Sequence, residues 1–305
     1  MPLIIPDKLP AADMLQKENV FVMHDKRAEA QDIRPLRILM VNLMPDKATT
    51  ETQLARVLAN SPLQVELTLL RMGTHDSKHV MEAYLEHFYK TFDEIKEERF
   101  DGMILTGAPV ETIPFEEVDY WDELCRILEY SKTNVYSNMY ICWGAQAALY
   151  YHYGINKYPL EEKMFGVFEH KVKRVHSPLM RGFDDVFWGP HSRYTMIRKE
   201  DIQDHQEIRI LAESDEAGPH IMATDNGRQI FIIGHQEYDK ETIGLEYYRE
   251  FRKDGEKAQI PKNYFKDDTP GKDIVVRWRG HANMLFANWL NYYVYQDTPY
   301  DLADL

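Results

Sequence analysis

Two kinds of apolar stretch alternate along the chain. Arg37-Ile38-Leu39-Met40-Val41-Asn42-Leu43-Met44, closed by Pro45, is a nearly continuous apolar run, the pattern of a strand buried on both faces. From Thr49 to Asn60 the apolar residues have helical spacing, with Thr and Glu at the start, and Leu63 to Arg71 alternates as a strand does. This order predicts a strand–helix–strand unit. A helical stretch, Glu86 to Ile95, lies within Val80 to Glu98, and a second buried strand, Phe100 to Thr106, ends at Gly107-Ala108-Pro109. Glu116 to Lys132 predicts an amphipathic helix leading into the strand Asn134 to Ile141, and after Cys142 the composition turns to Gly, Ala, Gln and Leu, the mark of another helix. Beyond it, Phe165 to His191 reads as antiparallel or irregular. Ile208 to Ala212 and His220 to Thr224 are short strands, Asn226-Gly227 is a hairpin turn, and Gln229 to Gly234 is a strand that runs into His235-Gln236-Glu237. Thr242 to Lys253 predicts a charged helix, Asp254 to Lys272 a polar loop, and Met284 to Tyr295 a closing aromatic helix.

Buried strands alternating with amphipathic helices predict an α/β fold with a doubly wound, mostly parallel sheet, flavodoxin-like in broad terms. No internal repeat, low-complexity tract or linker breaks the pattern, so residues 1–305 read as a single domain, with residues 1–32 as an N-terminal arm. In such sheets, sites gather where strands end.

Composition narrows the partners. Of the 305 residues, 44% are hydrophobic, ample for a core, and the net charge of −14 comes with no Lys/Arg cluster to track a phosphate backbone, which argues against nucleic acid. Two cysteines, Cys125 and Cys142, form neither a disulfide framework nor a metal cluster. The lack of a signal peptide or long apolar run predicts a cytoplasmic protein with no membrane partner, where a free thiol survives.

Cys142 sits where a strand passes into a helix. A nucleophile at that turn is held out of the sheet, the helix N-terminus favours its thiolate, and Gly144-Ala145 give clearance. The alternative is a buried Cys packing as a small hydrophobe. A thiolate nucleophile needs a base, and the base works best when a third group fixes its tautomer. His235 and Glu237 supply both, because residues i and i+2 of an extended segment point the same way. No second His or Cys lies at ligand spacing from them, so a Cys-His-Glu triad is preferred to a metal, and no metal is expected. Backbone N–H groups of Trp143 and of the Gly107-Ala108 turn are candidates for an oxyanion hole.

Four segments together carry a family resemblance: Tyr140-Ile141-Cys142-Trp143-Gly144-Ala145-Gln146, Lys163 to Phe168, Pro190-His191-Ser192-Arg193, and Gly234-His235-Gln236-Glu237-Tyr238. With Asn42 to Pro45, Thr106 to Glu111 and Asn288 to Tyr293, which stand in order over nearly the whole chain, they resemble the homoserine O-acyltransferases of bacterial methionine biosynthesis. The resemblance implies a class I glutamine amidotransferase-like fold and ping-pong transfer of an acyl group from acyl-CoA to the hydroxyl of L-homoserine, with Cys142 acylated, His235 as general base and Glu237 orienting it. It also implies a homodimer and no permanently bound cofactor, acetyl-CoA entering as co-substrate. Lys163, Ser192 and Arg249 match positions that hold the amino-acid substrate, and Lys47 matches a further site position. Glu111 matches the position that separates acetyl from succinyl users, and its carboxylate implies an acetyl donor. Two readings of other classes stay open at this stage: a glutamine amidotransferase or Cys hydrolase, which shares triad and fold, and a non-catalytic binding protein.

Overall fold

The computed structural model of the chain describes residues 3–6, 9–18, 22–23, 34–74 and 81–305. The N-terminal arm contributes β1 (Leu3–Ile4), α1 (Pro10–Lys17) and β2 (Val22–Met23). The body follows with β3 (Leu36–Val41), α2 (Lys47–Leu58), β4 (Val65–Leu70), α3 (Glu82–Phe88), β5 (Tyr89–Lys90), α4 (Phe92–Ile95) and β6 (Phe100–Leu105). Then come α5 (Trp121–Asn134), β7 (Val135–Ile141), α6 (Trp143–Tyr153), β8 (Tyr158–Val172), β9 (Val186–Met196), α7 (Lys199–Gln203), β10 (Ile208–Ser214), β11 (Gly218–Thr224), β12 (Gln229–Ile232), α8 (Thr242–Asp254) and α9 (Arg279–Asn288).

All twelve strands join one sheet in the order β2-β1-β4-β3-β6-β7-β12-β11-β10-β8-β9, with β5 on β4. From β2 to β12 the pairing is parallel, and from β12 to β9 it is antiparallel. The expected doubly wound, mostly parallel sheet is therefore present, and β8 and β9 form a long antiparallel pair as the Phe165 to His191 pattern suggests. The continuous apolar runs have a direct cause. Ile38, Met40, Met139, Ile141, Ile230 and Ile232 face one hydrophobic cluster, while Leu39, Val41, Tyr140 and Phe231 between them face another, so the central strands are buried on both sides. A smaller third cluster joins Phe165 and Val167 of β8 to Ile243 and Tyr247 of α8.

Three elements differ from the pattern reading. The helix expected through Glu86 to Ile95 breaks at Tyr89–Lys90, which pair with Leu69 and Leu70 of β4. The Tyr89 hydroxyl donates to Glu51 and accepts from Asn42, which draws the chain inward, and a capping box of Thr91 and Glu94 restarts the helix. The Asp254 to Lys272 segment is not only a polar loop, because Tyr264 and Phe265 enter the third cluster and the Tyr264 hydroxyl bonds the Lys240 carbonyl at 2.6 Å. The closing helix starts earlier, as α9, and passes into a π-helical turn, Trp289–Tyr295. Of the arm, β1 pairs with β4 and α1 contributes Ala11, Ala12 and Leu15 to the first cluster. Among the described residues no helix is long and apolar enough to cross a membrane.

Candidate active site

β7 and β12 pair in parallel, Ile141 opposite Ile232, so both chains leave the sheet at the same edge. At the end of β7, Cys142 has φ 52° and ψ −117°, a conformation that costs a non-glycine residue about 1–3 kcal/mol and is kept because neighbours dictate it. The Cys142 N–H bonds the Ile232 carbonyl at 2.7 Å, and its own carbonyl accepts the first turn of α6 from Ala145 and Gln146. Gly144 is required for this close approach: a Cβ there would lie 2.5 Å from the Thr106 carbonyl oxygen. The sharp strand-to-helix turn expected at Cys142 is what the structure contains.

Past β12, the His235 N–H bonds the Pro190 carbonyl of β9 at 2.8 Å, and His235 Nδ1 meets Glu237 Oε1 at 2.7 Å. With Nδ1 donating to the carboxylate, Nε2 is left for the Cys142 thiol, to which His235 also hydrogen-bonds. Gly107 closes the gap between thiol and imidazole. A Cβ on Gly107 would lie 3.2 Å from Cys142 Cβ, 3.7 Å from Sγ and 3.4 Å from His235 Cε1, so a larger residue there would crowd the thiol and the ring. Burial disfavours the proton on His235, yet the negative charges of Cys142 and Glu237 outweigh it and hold the imidazole well above its ordinary range. Tyr238 stacks on the His235 ring at 4.0 Å and 13°, fixing its plane. Sequence reasoning missed Tyr238, although it directly follows Glu237.

The other expected donors lie alongside. The Thr106 hydroxyl bonds the Gly107 carbonyl at 3.0 Å, and in a planar trans peptide this turns the Ala108 N–H to the opposite side. Trp143 packs its ring against Phe115 and Tyr120, leaving its backbone N–H at the start of α6.

Glu111 lies in the segment after β6, beyond the Gly107-Ala108-Pro109 turn. It is half-buried and accepts from the Tyr194 N–H at 3.2 Å; burial raises its proton affinity, opposed by the nearby charge on His235. Lys163 and Ser192 are brought together by a residue the sequence reading did not single out, Glu246 of α8. Its Oε1 accepts from Lys163 Nζ at 2.6 Å and from Ser192 Oγ at 2.7 Å, and Lys163 also bonds Glu250 at 2.6 Å. Burial would strip the proton from Lys163, but these carboxylates keep it charged. Glu246 had the look of a solvated helix charge. Arg249 is exposed, without an ion pair among the described residues, on the wall of a cavity of about 690 Å³ shared with Lys163, Tyr194 and Glu250. Lys47 stands apart: its ammonium bonds the Asn42 carbonyl, burial lowers its pKa to about 8, and no contact among the described residues joins it to Cys142, His235 or Glu237.

The sequence shows no second His or Cys at ligand spacing from His235, and the fold gathers three other histidines from separate strands. His170 of β8, His191 of β9 and His220 of β11 have ring nitrogens within 4.8 Å of one another, all buried, and distant in sequence because separate strands supply them. Their geometry is that of hydrogen bonding. His170 and His191 oppose Nε2 to Nε2 at 3.0 Å, His191 Nδ1 accepts from Arg193 Nε at 3.2 Å, and His220 bonds the Gly234 N–H through Nδ1 at 3.2 Å and Gln236 Nε2 through Nε2 at 3.0 Å, so these ring nitrogens are engaged by protein groups. Burial pushes all three pKa values down, that of His170 to about 3.

Comparison with known proteins adds the following. A family described as homoserine O-succinyltransferase matches residues 2–300. A homoserine O-acetyltransferase of Acetivibrio thermocellus is 60% identical over 305 residues, covering all of both chains. One of Clostridium acetobutylicum is 58% identical, covering 99% of this chain and 100% of its own. Among solved structures, a glutamine amidotransferase of Thermotoga maritima superposes with a TM-score of 0.56 at 12% identity, covering 86% of this chain and 100% of its own, a likeness of fold.

Proposed function

The chain belongs to the homoserine O-succinyltransferase family, and we propose that within it this protein transfers an acetyl group from acetyl-CoA to the side-chain hydroxyl of L-homoserine, through an acyl-Cys142 intermediate. The observation that carries the reading is the elbow at Cys142 facing the bonded His235–Glu237 pair, with the Glu111 carboxylate beside them. The names of the curated relatives, homoserine O-acetyltransferases, support the acetyl donor.

In the first half-reaction the Cys142 thiolate adds to the thioester carbonyl. Negative charge moves to the carbonyl oxygen, where the N–H groups of Trp143 and the Gly107-Ala108 turn receive it. The C–S bond to CoA breaks, and the imidazolium of His235 protonates the departing thiolate. In the second, His235 takes the proton of the homoserine hydroxyl as that oxygen attacks the Cys142 thioester, and collapse releases O-acetylhomoserine and restores the thiolate. Glu237 orients the imidazole and balances its charge without taking the proton. Arg249 suits the homoserine carboxylate and Glu246 its ammonium, with Lys163 and Ser192 holding Glu246 in place. The reaction needs no permanently bound cofactor and no metal. The family likeness supports a homodimer, and a biosynthetic enzyme with a free thiol suits the cytoplasm.

Glu111 sets the donor. A succinyl group would bring a second carboxylate near it, and like charges about 4 Å apart repel by roughly 4 kcal/mol at an effective dielectric near 20. Acetyl carries no such charge. CoA release with acetyl-CoA against succinyl-CoA, each with and without homoserine, tests the assignment: acetyl-CoA with homoserine should be the fast pair, and faster turnover of succinyl-CoA would overturn the donor while sparing the Cys142 chemistry.

A further inference from the structure

Arg193 is a charge without an ordinary partner. Its side chain is 1% exposed, and its guanidinium donates to the Thr195 carbonyl from Nη1 and the Ala217 carbonyl from Nη2, both at 2.6 Å, and to His191 Nδ1 from Nε at 3.2 Å. No carboxylate bonds it among the described residues. Burying a cation with only neutral acceptors is costly unless a negative charge stands close.

The strand it lies on runs under the active site. His191, Arg193 and Thr195 alternate onto one buried face of β9. At one end, Pro190 accepts the His235 N–H, and a Cβ on Gly234 would lie 2.9 Å from His191 Cε1. At the other end, Thr195 Oγ1 bonds Gln146 Oε1 of α6 at 2.9 Å, one turn past the elbow. Arg193 sits between these two anchors along β9, and its guanidinium is held by His191, the Thr195 carbonyl and the Ala217 carbonyl. His191 cannot carry the compensating charge, since it accepts from Arg193 and is neutral. The anionic groups whose charge acts on the guanidinium are Cys142 and Glu111. Around the thiol, His235 and Glu237 come from the loop after β12, Glu111 from the segment after β6, and Arg193 from β9.

We propose that Arg193 is a positioning residue of the reaction, a fixed buried cation that favours the charged form of Cys142 from beneath the elbow while His191 and Thr195 hold it in register. The inference rests on the reading of Cys142 as the nucleophile. It divides the work at the thiol. His235 moves the proton, and Arg193 supplies a positive charge that does not leave during the cycle, which favours the Cys142 thiolate both before it attacks the thioester and when it departs from the acyl group in the second half-reaction.

Alkylation by iodoacetamide, followed by peptide mass spectrometry across pH, reads Cys142 without substrate and uses Cys125 as internal reference. Arg193→Gln should move the acid limb of the Cys142 profile to higher pH and slow alkylation at neutral pH roughly tenfold, with Arg193→Lys returning it to within about twofold. A purely structural arginine would lower the melting temperature and leave the profile in place, and a folded Arg193→Gln whose profile superposes on wild type overturns the proposal. If Arg193→Gln does not fold, His235→Asn decides, because it removes the imidazolium and keeps the arginine: Cys142 should still react faster than Cys125, whose thiol is pushed up to about 11 chiefly by burial. Slower reaction than Cys125 in that variant overturns the role of Arg193. Failure of wild-type Cys142 to outrun Cys125 would instead remove the nucleophile, and the proposal with it.

Discussion

Two histidine systems lie within one buried region of this molecule and behave in opposite ways. His235 stands between Cys142 and Glu237 and is held well above the ordinary imidazole range, while His170, His191 and His220 are pushed below it. Burial acts in the same direction on all four, against the charged form. The difference is the charge that faces each ring. His235 has two anionic neighbours; the trio has Arg193 and each other. On the proposed mechanism a buried histidine serves as a base only where negative charge is built around it, and the other three of these four are hydrogen-bonded framework.

The largest expected effect tests the charged system. His235→Asn should lower kcat/KM about 10³- to 10⁴-fold in steady-state CoA release, and Glu237→Gln, which leaves the proton acceptor in place, less, by roughly 10²-fold. A Glu237→Gln enzyme with near wild-type turnover would remove the carboxylate from the comparison.

Next in size is the donor. Glu111→Gly should change the ratio of succinyl-CoA to acetyl-CoA turnover on the order of a thousandfold in favour of succinyl. Because burial raises the Glu111 pKa, protonation as pH falls should neutralise it and narrow the wild-type preference; selectivity that is flat with pH would contradict the charge argument.

Arg249→Ala should raise the KM for homoserine roughly a hundredfold with little change in the acylation half-reaction, measured by burst-phase CoA release without homoserine. Equal damage to both half-reactions would make Arg249 structural.

The smallest effect belongs to the neutral trio. The folded-state pKa of His170 is depressed to about 3, below an unfolded value near 6.5, so its contribution to stability is fully present above pH 6.5 and is lost as pH falls towards 3. His170→Gln should flatten the fall in melting temperature over that window by a few degrees and leave the shape of the pH–rate profile unchanged. A displaced rate profile would place the trio in the catalytic machinery.

Much of this was legible in the chain, for physical reasons that differ by residue. The central strands announce themselves because Ile38 to Val41 and Met139 to Ile141 are buried on both faces, which leaves unbroken apolar runs. Cys142 and the His235–Glu237 pair are legible because the strand-to-helix switch and the i, i+2 spacing are local. Glu246, Arg193 and the trio are not local. Glu246 becomes a site residue only when α8 packs beside β8 and β9, and on its own it is one charge among many on a polar helix. The break at Tyr89 likewise depends on Glu51 and Asn42, far upstream. Lys163, Ser192 and Arg249 were legible through family likeness alone.

Acylation of Cys142 is the point on which the charged histidine system, the elbow and the two half-reactions all depend. Incubation with acetyl-CoA in the absence of homoserine, followed by intact-mass and peptide mass spectrometry, should find one acetyl group per chain on Cys142, none on Cys125 or Lys47, and loss of the label when homoserine is added. An enzyme that turns over with no label on Cys142, or with the label on another residue, would contradict it.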